Sequence, residues 1–412
     1  VWTSYSQKSH LFWSENVLSS EVGVHQGDPL GPFLFCLAIH EIVEGVHSDT
    51  SVWYMDDGSL LGDLKTVHED FGRLIEASAK IGLQVNPDKC EITALGRTLG
   101  VEKMCHDRFS ELAPGLQLVS KADAELLGAP LEVQALPKFI TKKMAALQRM
   151  SDRLQNLDAH DALFLLRKST GIPRLTYIFR TAPCFVASES LEKYDEVLRG
   201  TLSTILNCSL SEDQWTQASL SVRYGGLGVR NARSVALPAF LASVKACAGL
   251  AREINPKFSG NSSHLPDALR AWGESFDEVP EKMQEQRAWD ELVCEKAFKK
   301  LVEGSAEGSV ERARLTSVRA PHAGAWLSAV PLPQLDLKLS DEHVRVAAGL
   351  HLCSELVQEH TCICGEKADV YGQHSLSCSS QPGRRLRHTE ANSLIHRCLN
   401  AANIPSTLEP QG

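Results

Sequence analysis

The stretch SVWYMDDGSLLGD, residues 51–63, decides how the chain is read. Two carboxylates, Asp56 and Asp57, stand side by side behind an aromatic residue and just ahead of Gly58. Neighbouring like charges repel, and Asp is a poor strand residue. One reading is turn chemistry, because Asp-Gly between apolar runs is a strong hairpin signal. Val52 and Tyr54 then share one strand face, Trp53 and Met55 the other, and Leu60 and Leu61 begin the return strand. The other reading is a divalent cation. Mg²⁺ takes carboxylate oxygens, and a hairpin tip aims two adjacent side chains at one place. Paired ions clamp the attacking and leaving oxygens of an in-line phosphoryl transfer. The surrounding sequence has to decide between the two.

The 412 residues allow two or three domains. Hydrophobic residues at 43% and charged residues at 23% are ordinary for a soluble globular protein. No apolar run approaches transmembrane length and no signal peptide opens the chain, so no membrane partner is expected. The expected location is nuclear or cytoplasmic, not secreted. Twelve cysteines without a secretory signal point to reduced thiols or a metal rather than a disulfide framework. The net charge of −9 counts against nucleic acid only weakly, because local charge matters more than the total. Between Leu131 and Arg180 nine basic residues, Lys142 and Lys143 among them, stand against four acids. That segment is either a nucleic-acid face or a solvated helix face.

Working outward, GVHQGDPLGP at 23–32 is a turn cluster, and Pro32 fits the first turn of a mostly buried helix over Leu34 to Val46. Leu64, Val67, Phe71, Leu74, Ile75 and Ala79 recur at helical spacing, with Gly82 placed to end that helix. Cys90, Ile92 and Ala94 alternate as in a half-buried strand, and ELLGAPLEV reads as a short strand or hairpin. Residues 1–131 therefore read as an α+β unit around an antiparallel sheet. Beyond Pro137 the pattern is helical, with Ile140, Met144, Leu147, Leu154 and Leu157 as one stripe. The expected divisions are 1–131, a helical region 132–251, a linker 252–290 with one short helix, a helical segment 291–355, and a tail 356–412.

Four motifs then fall in order: GVHQGDPLGP, YMDDG about 25 residues later, GLQVNPDKCE, and LLGAPL. This order resembles the palm of reverse transcriptases, especially those of non-LTR retrotransposons. RKSTGIPRLTYIFRTAP and ASLSVRYGGLGVRNARSVALPAFLAS look like the thumb and following region of such elements. The resemblance implies a partial right-hand polymerase palm, a mainly helical thumb, and RNA-directed DNA polymerase activity by two-metal nucleotidyl transfer. The implied partners are an RNA template, a DNA primer or target, and nucleoside triphosphates. Asp56 is the implied principal Mg²⁺ ligand and Asp57 a neighbouring, weaker one. Tyr54 packs beside the primer end, and Gln26 and Gly27 border the incoming nucleotide. Leu127 and Gly128 form the primer grip. Lys89 lies near the triphosphate as a general acid, or is a surface lysine on a strand. The family's palm carries one further Asp upstream of QGDPLGP. Residues 1–25 contain no Asp, only Glu15 and Glu21 as acids. The expectation is therefore a fragment truncated at both ends, lacking the fingers and inactive alone. The alternative is a non-catalytic nucleic-acid-binding remnant that uses the thumb and the tail.

The tail CICGEKADVYGQHSLSC sets Cys362, Cys364, His374 and Cys378 at C-x-C-x9-H-x3-C spacing. Three thiols and an imidazole suit tetrahedral Zn²⁺, and Gly365 and Gly372 permit tight turns. The alternative is four unpaired residues in a loop. The set resembles the Cys-Cys-His-Cys knuckle of retroelements with a restriction-enzyme-like endonuclease. Arg384, Arg385 and Arg387 follow as a patch suited to phosphate, or as a solvated helix start.

Overall fold

The computed structural model describes residues 5–95, 100–256, 262–380 and 383–408. It divides into two compact units, Val1–Ala135 and Leu136–Gly412. In the first, strands β1 (Ser9–Trp13) and β2 (Asn16–Ser20) form an antiparallel hairpin that the sequence reading did not foresee. Helix α1 (Gly31–Glu44) carries Pro32 in its first turn, as its spacing implies. The expectation that this helix is mostly buried is wrong. Only Gly31 and Ile39 are buried, and Phe33 and Leu37 stand exposed. Among the described elements α1 packs chiefly on the next helix, and one neighbour covers only one side of an apolar helix.

Strands β3 (Thr50–Tyr54) and β4 (Asp57–Leu61) pair antiparallel, and helix α2 (Leu64–Lys80) follows. Asp63 caps α2 by accepting from the amides of Lys65 and Thr66 at 3.0 and 3.1 Å. Gly82, at φ +82°, lets the chain leave the helix as its spacing implies. Leu64, Val67 and Phe71 face a small core of Phe109, Ala113 and Leu116. A 3₁₀ turn (Pro87–Lys89) leads to β5 (Glu91–Ile92), which pairs parallel with β6 (Gln117–Leu118) around α3 (Val101–Ser110). β7 (Glu125–Leu126) and β8 (Ala129–Pro130) close the unit as a hairpin. Among the described residues of this unit the strands form two-stranded pairs, three antiparallel as expected and one, β5–β6, parallel. At two residues each, β5 to β8 offer too few ladder bonds to recruit a third neighbour.

The second unit is mainly helical. Helix α4 (Leu136–Leu154) buries Phe139, Ile140, Leu147 and Leu154 along one face. Helix α5 (Ala159–Leu165) runs into a π turn (Leu166–Thr170) ended at Gly171, where a Cβ would lie 2.6 Å from the Leu166 carbonyl. Helices α6 (Thr176–Thr181), α7 (Ser188–Leu206) and α8 (Glu212–Ser219) precede the Gly-rich turn. Within it Gly226 is obligatory, since a Cβ would lie 2.1 Å from the Leu220 carbonyl oxygen.

Helix α9 (Ala232–Ile254) corrects the expectation that no apolar run reaches transmembrane length. By length and composition it is able to cross a membrane. Its first half is packed on α6, α7 and the next helices, burying Val235, Ala239, Phe240 and Leu241. The segment 252–290 is likewise more than a linker. Its helix α10 (Leu265–Gly273) inserts Trp272 edge-on against Trp289 of α11 (Gln286–Glu303), ring centroids 4.7 Å apart. The two indoles share a core with Phe240 and Leu241, so the polar composition of the segment conceals an apolar anchor. Helices α12 (Val310–Arg319) and α13 (Asp341–Leu352) lead to a hairpin of β9 (His360–Thr361) and β10 (Lys367–Ala368), then α14 (Gln373–Ser377) and α15 (Gly383–Ala401).

One buried charge controls the start of α9. Asp195 of α7 accepts from the amides of Ala232 and Arg233, satisfying two donors that a helix N-terminus leaves open. Burial outweighs these bonds and pushes the Asp195 carboxyl up to about 6 from an ordinary 3.8. Between those values the folded chain holds a proton that the unfolded chain has lost. This contribution is complete below about 4 and is lost as pH rises through about 6. Asp195→Asn keeps one acceptor but cannot titrate. Relative to the wild type, it is expected to gain on the order of 3 kcal/mol between pH 4 and 7. Urea unfolding at both pH values checks this, and a constant difference between the two proteins contradicts it.

Candidate metal centres

The first centre is the tip of the β3–β4 hairpin. Tyr54 pairs with Asp57, so the connecting turn is Met55-Asp56 rather than Asp57-Gly58. Met55 takes the positive φ, +59°. The return strand accordingly begins at Asp57, not at Leu60. Gly58 has a different task from the turn chemistry the sequence suggested. It lies opposite Trp53, and a Cβ there would come within 2.5 Å of the indole ring. The indole thus lies flat across the hairpin, fixed by its Nε1–H donating to Ser51 Oγ at 2.9 Å. Asp56 and Asp57 are both exposed, and Tyr54, directly across from Asp57, is 67% exposed. Exposure keeps the like-charge repulsion affordable while leaving both carboxylates open to a cation. Among the described residues no third Asp, Glu, His or Cys joins them within coordinating reach.

The other expected palm residues are placed as follows. Gln26 and Gly27 are exposed in the turn ahead of α1, Gly27 at φ +94°, a conformation that favours glycine. Lys89 is exposed at the end of the 3₁₀ turn, not on a strand, and Asn86 caps that turn through the Asp88 amide. Leu127 and Gly128 form the β7–β8 turn at φ +49° and +75°, as a two-residue turn of the primed type demands. No hydrogen bond or ion pair among the described residues joins Asp56 or Asp57 to Lys89 or Gln26.

The basic segment before Arg180 is not one face. Lys142 is exposed on α4, while Lys143 lies over the Phe139 ring at 5.1 Å. Arg167 turns inward and donates to the Leu327 carbonyl, and burial lowers its affinity for its proton. Arg180 binds Gln286 through two donors. Formal charge counted along the sequence therefore overstates what this segment offers a phosphate.

The second centre is the tail. The ligand atoms of Cys362, Cys364, His374 and Cys378 all lie within 4.8 Å of one another. Cys362 Sγ is 3.7 Å from Cys378 Sγ, and Cys364 Sγ is 3.3 Å from His374 Nε2. A tetrahedron with metal–sulfur bonds of about 2.3 Å has edges of about 3.8 Å, so the donor set fits a Zn²⁺-sized ion. Local turns create this. The Gly365 amide donates to the Cys362 carbonyl at 2.8 Å, and Gly365 at φ +90° reverses the chain. The Glu366 amide favours the Cys364 thiolate, yet desolvation and the adjoining Cys378 and Cys362 thiols outweigh it and raise its pKa. A dication relieves that mutual penalty.

Sequence reasoning missed Asp369. Its carboxylate accepts from the amides of Tyr371, Gln373 and His374 at 2.9, 3.2 and 3.0 Å, holding the start of α14 and with it the imidazole. An Asp three residues before a glycine and five before the His was the available signal. The side chains of Arg384, Arg385 and Arg387 lie outside the described residues.

Residues 1–131 match the family described as reverse transcriptase (RNA-dependent DNA polymerase). Over 94% of its length the chain is 20% identical to the retrotransposable element SLACS 132 kDa protein of Trypanosoma brucei gambiense. The hairpin with its two carboxylates thus lies within the segment that matches the reverse transcriptase family. Both matches support the resemblance of the motif order to the reverse transcriptases of non-LTR retrotransposons. The chain spans 29% of the length of the SLACS protein.

Cobalt(II) added to the metal-free protein is expected to give one thiolate-to-cobalt charge-transfer band per chain, lost in Cys364→Ser. Asp369→Ala keeps all four ligands and is expected to weaken cobalt binding about 10- to 100-fold. Unchanged affinity in Asp369→Ala would show that the carboxylate does not organise the site.

Proposed function

We propose that the chain is the palm and thumb portion of the RNA-directed DNA polymerase of a non-LTR retroelement, followed by a zinc knuckle. The observation that carries this is the exposed Asp56–Asp57 pair at a hairpin tip inside the segment matched to the reverse transcriptase family. Bound there, Mg²⁺ would supply the charge that neutralises phosphate oxygens during nucleotidyl transfer. Asp56, on the turn, is the principal ligand, and Asp57, one residue on, the weaker one. Tyr54 stands beside Asp57 and meets the primer end. Gln26 hydrogen-bonds the incoming nucleotide, and Gly27 lets the backbone approach it. Lys89 offers a proton to pyrophosphate, and Leu127 and Gly128 grip the primer. Lys142 holds backbone phosphates in the thumb, with Lys143 half-committed to Phe139. In the tail, zinc on Cys362, Cys364, His374 and Cys378 fixes the direction in which Arg384, Arg385 and Arg387 meet nucleic acid. Its work is nuclear or cytoplasmic and away from membranes, which the packing of half of α9 supports.

A second reading, a nucleic-acid-binding remnant without catalysis, is favoured by one observation: the described residues bring only two carboxylates to the hairpin tip. Extension of a DNA primer on an RNA template with Mg²⁺, beside Asp56→Asn, tests whether this chain is catalytic by itself. With two carboxylates the expected result is salt-sensitive binding of the hybrid and extension no better than the control. Extension at least ~100-fold above Asp56→Asn would establish polymerase activity in this chain and remove the remnant reading. Absence of both binding and extension contradicts both readings.

A further inference from the structure

We infer that Asp70 is a positioning residue for the metal-binding hairpin, acting from helix α2 on the base of β3. The inference rests on the metal reading of Asp56 and Asp57. Asp70 is an acid on the apolar side of its helix, three residues after Val67 and four before Leu74, and it is 1% exposed. A carboxylate is not buried there without bonds to hold it. Its Oδ2 accepts from the His47 amide at 2.9 Å, the Ser48 amide at 2.6 Å and Ser48 Oγ at 2.6 Å. Its Oδ1 receives the Arg73 guanidinium. All three bonds on Oδ2 go to residues 47 and 48, immediately ahead of the strand that begins at Thr50.

The other end of the hairpin is fixed to the same helix. β4 ends at Leu61, and Asp63 already caps α2. Between them Gly62 is pressed against the residue just ahead of β3 and against α2, where a Cβ would lie 3.2 Å from the Asp49 amide nitrogen and 3.4 Å from Val67 Cγ2. Both legs of the hairpin are therefore anchored on the first two turns of α2, one by chain connection and one by Asp70.

The hairpin then acts as a lever. Six residues of extended chain from Asp49 to Tyr54 span about 20 Å, so a tilt of ~5° at the base moves the tip by nearly 2 Å. Displacements of that size cost about a hundredfold in reactions that need aligned groups. Helix α2 supplies the rigid reference, and Asp70 transmits it through short bonds to two backbone amides. A purely structural role would lower the stability of the unit and leave the folded hairpin's affinity for a cation unchanged.

The test is terbium(III) binding, read as emission sensitised by Trp53 and Tyr54 and taken as the part lost in Asp56→Asn. The full chain is used, with circular dichroism at the working temperature confirming that each variant is folded. Asp70→Asn, which cannot accept all of these bonds, is expected to raise the terbium midpoint about tenfold. Ser48→Ala removes one bond and is expected to raise it about two- to threefold, and it decides the matter should Asp70→Asn fail to fold. A wild-type midpoint in folded Asp70→Asn, or in Ser48→Ala where that is the only folded variant, overturns the positioning role while leaving the metal reading intact. Emission that is unchanged in Asp56→Asn, or absent from the wild type, overturns the metal reading and the inference with it.

Discussion

Asp56 and Asp57 repel each other at a two-residue turn, where neither carboxylate can move far from its neighbour. In water at ~6 Å that repulsion is about 0.7 kcal/mol, and it grows several-fold when the surroundings lose water. The first unit respects this limit. It places the pair at an exposed tip and gives the hairpin only one half-buried face, formed by Trp53 and Leu60. Gly58 follows from the same arrangement, because the indole needs the space opposite it. A divalent cation bound there would turn the repulsion into chelation, the role proposed for a pair that lies inside the segment matched to the reverse transcriptase family.

The tail solves a related problem over a shorter distance. Three thiols and an imidazole within 4.8 Å are held by turns of the chain itself, with Asp369 ordering the helix that carries His374. The same tail is joined to the end of α13: Gln373 Nε2 donates to Sγ of the C-cap residue Cys353 at 3.8 Å, and the Leu356 and Val357 amides donate to the Val370 carbonyl at 2.8 and 3.1 Å. Metal bound by the four side chains therefore stabilises a segment with an attachment to α13, not a free appendage.

What was legible in the sequence was local. The hairpin, the stop of α2, the Leu127-Gly128 turn and the Cys-Cys-His-Cys spacing all depend on residues within about twenty positions of one another. What was not legible depends on distant partners. Arg167 counts as a surface cation until the Leu327 carbonyl, 160 residues away, takes its donor. The polar stretch around Trp272 reads as a linker until Trp289 and Phe240 close on it. α1 reads as buried because apolar spacing reports which face avoids water, not whether a neighbour is present to cover it. Asp70 sits inside a stripe of apolar residues, and its role depends on His47 and Ser48, more than twenty positions away.

The central claim is that Asp56 and Asp57 together hold a divalent cation. Manganese(II) titrated into isotopically labelled protein tests it directly, because paramagnetic broadening falls steeply with distance. The backbone amide signals of Tyr54 to Gly58 are expected to broaden first, ahead of every other acidic surface, and Asp56→Asn to abolish the preference. Broadening spread evenly over the exposed carboxylates, with residues 54–58 unremarkable among them, would contradict it.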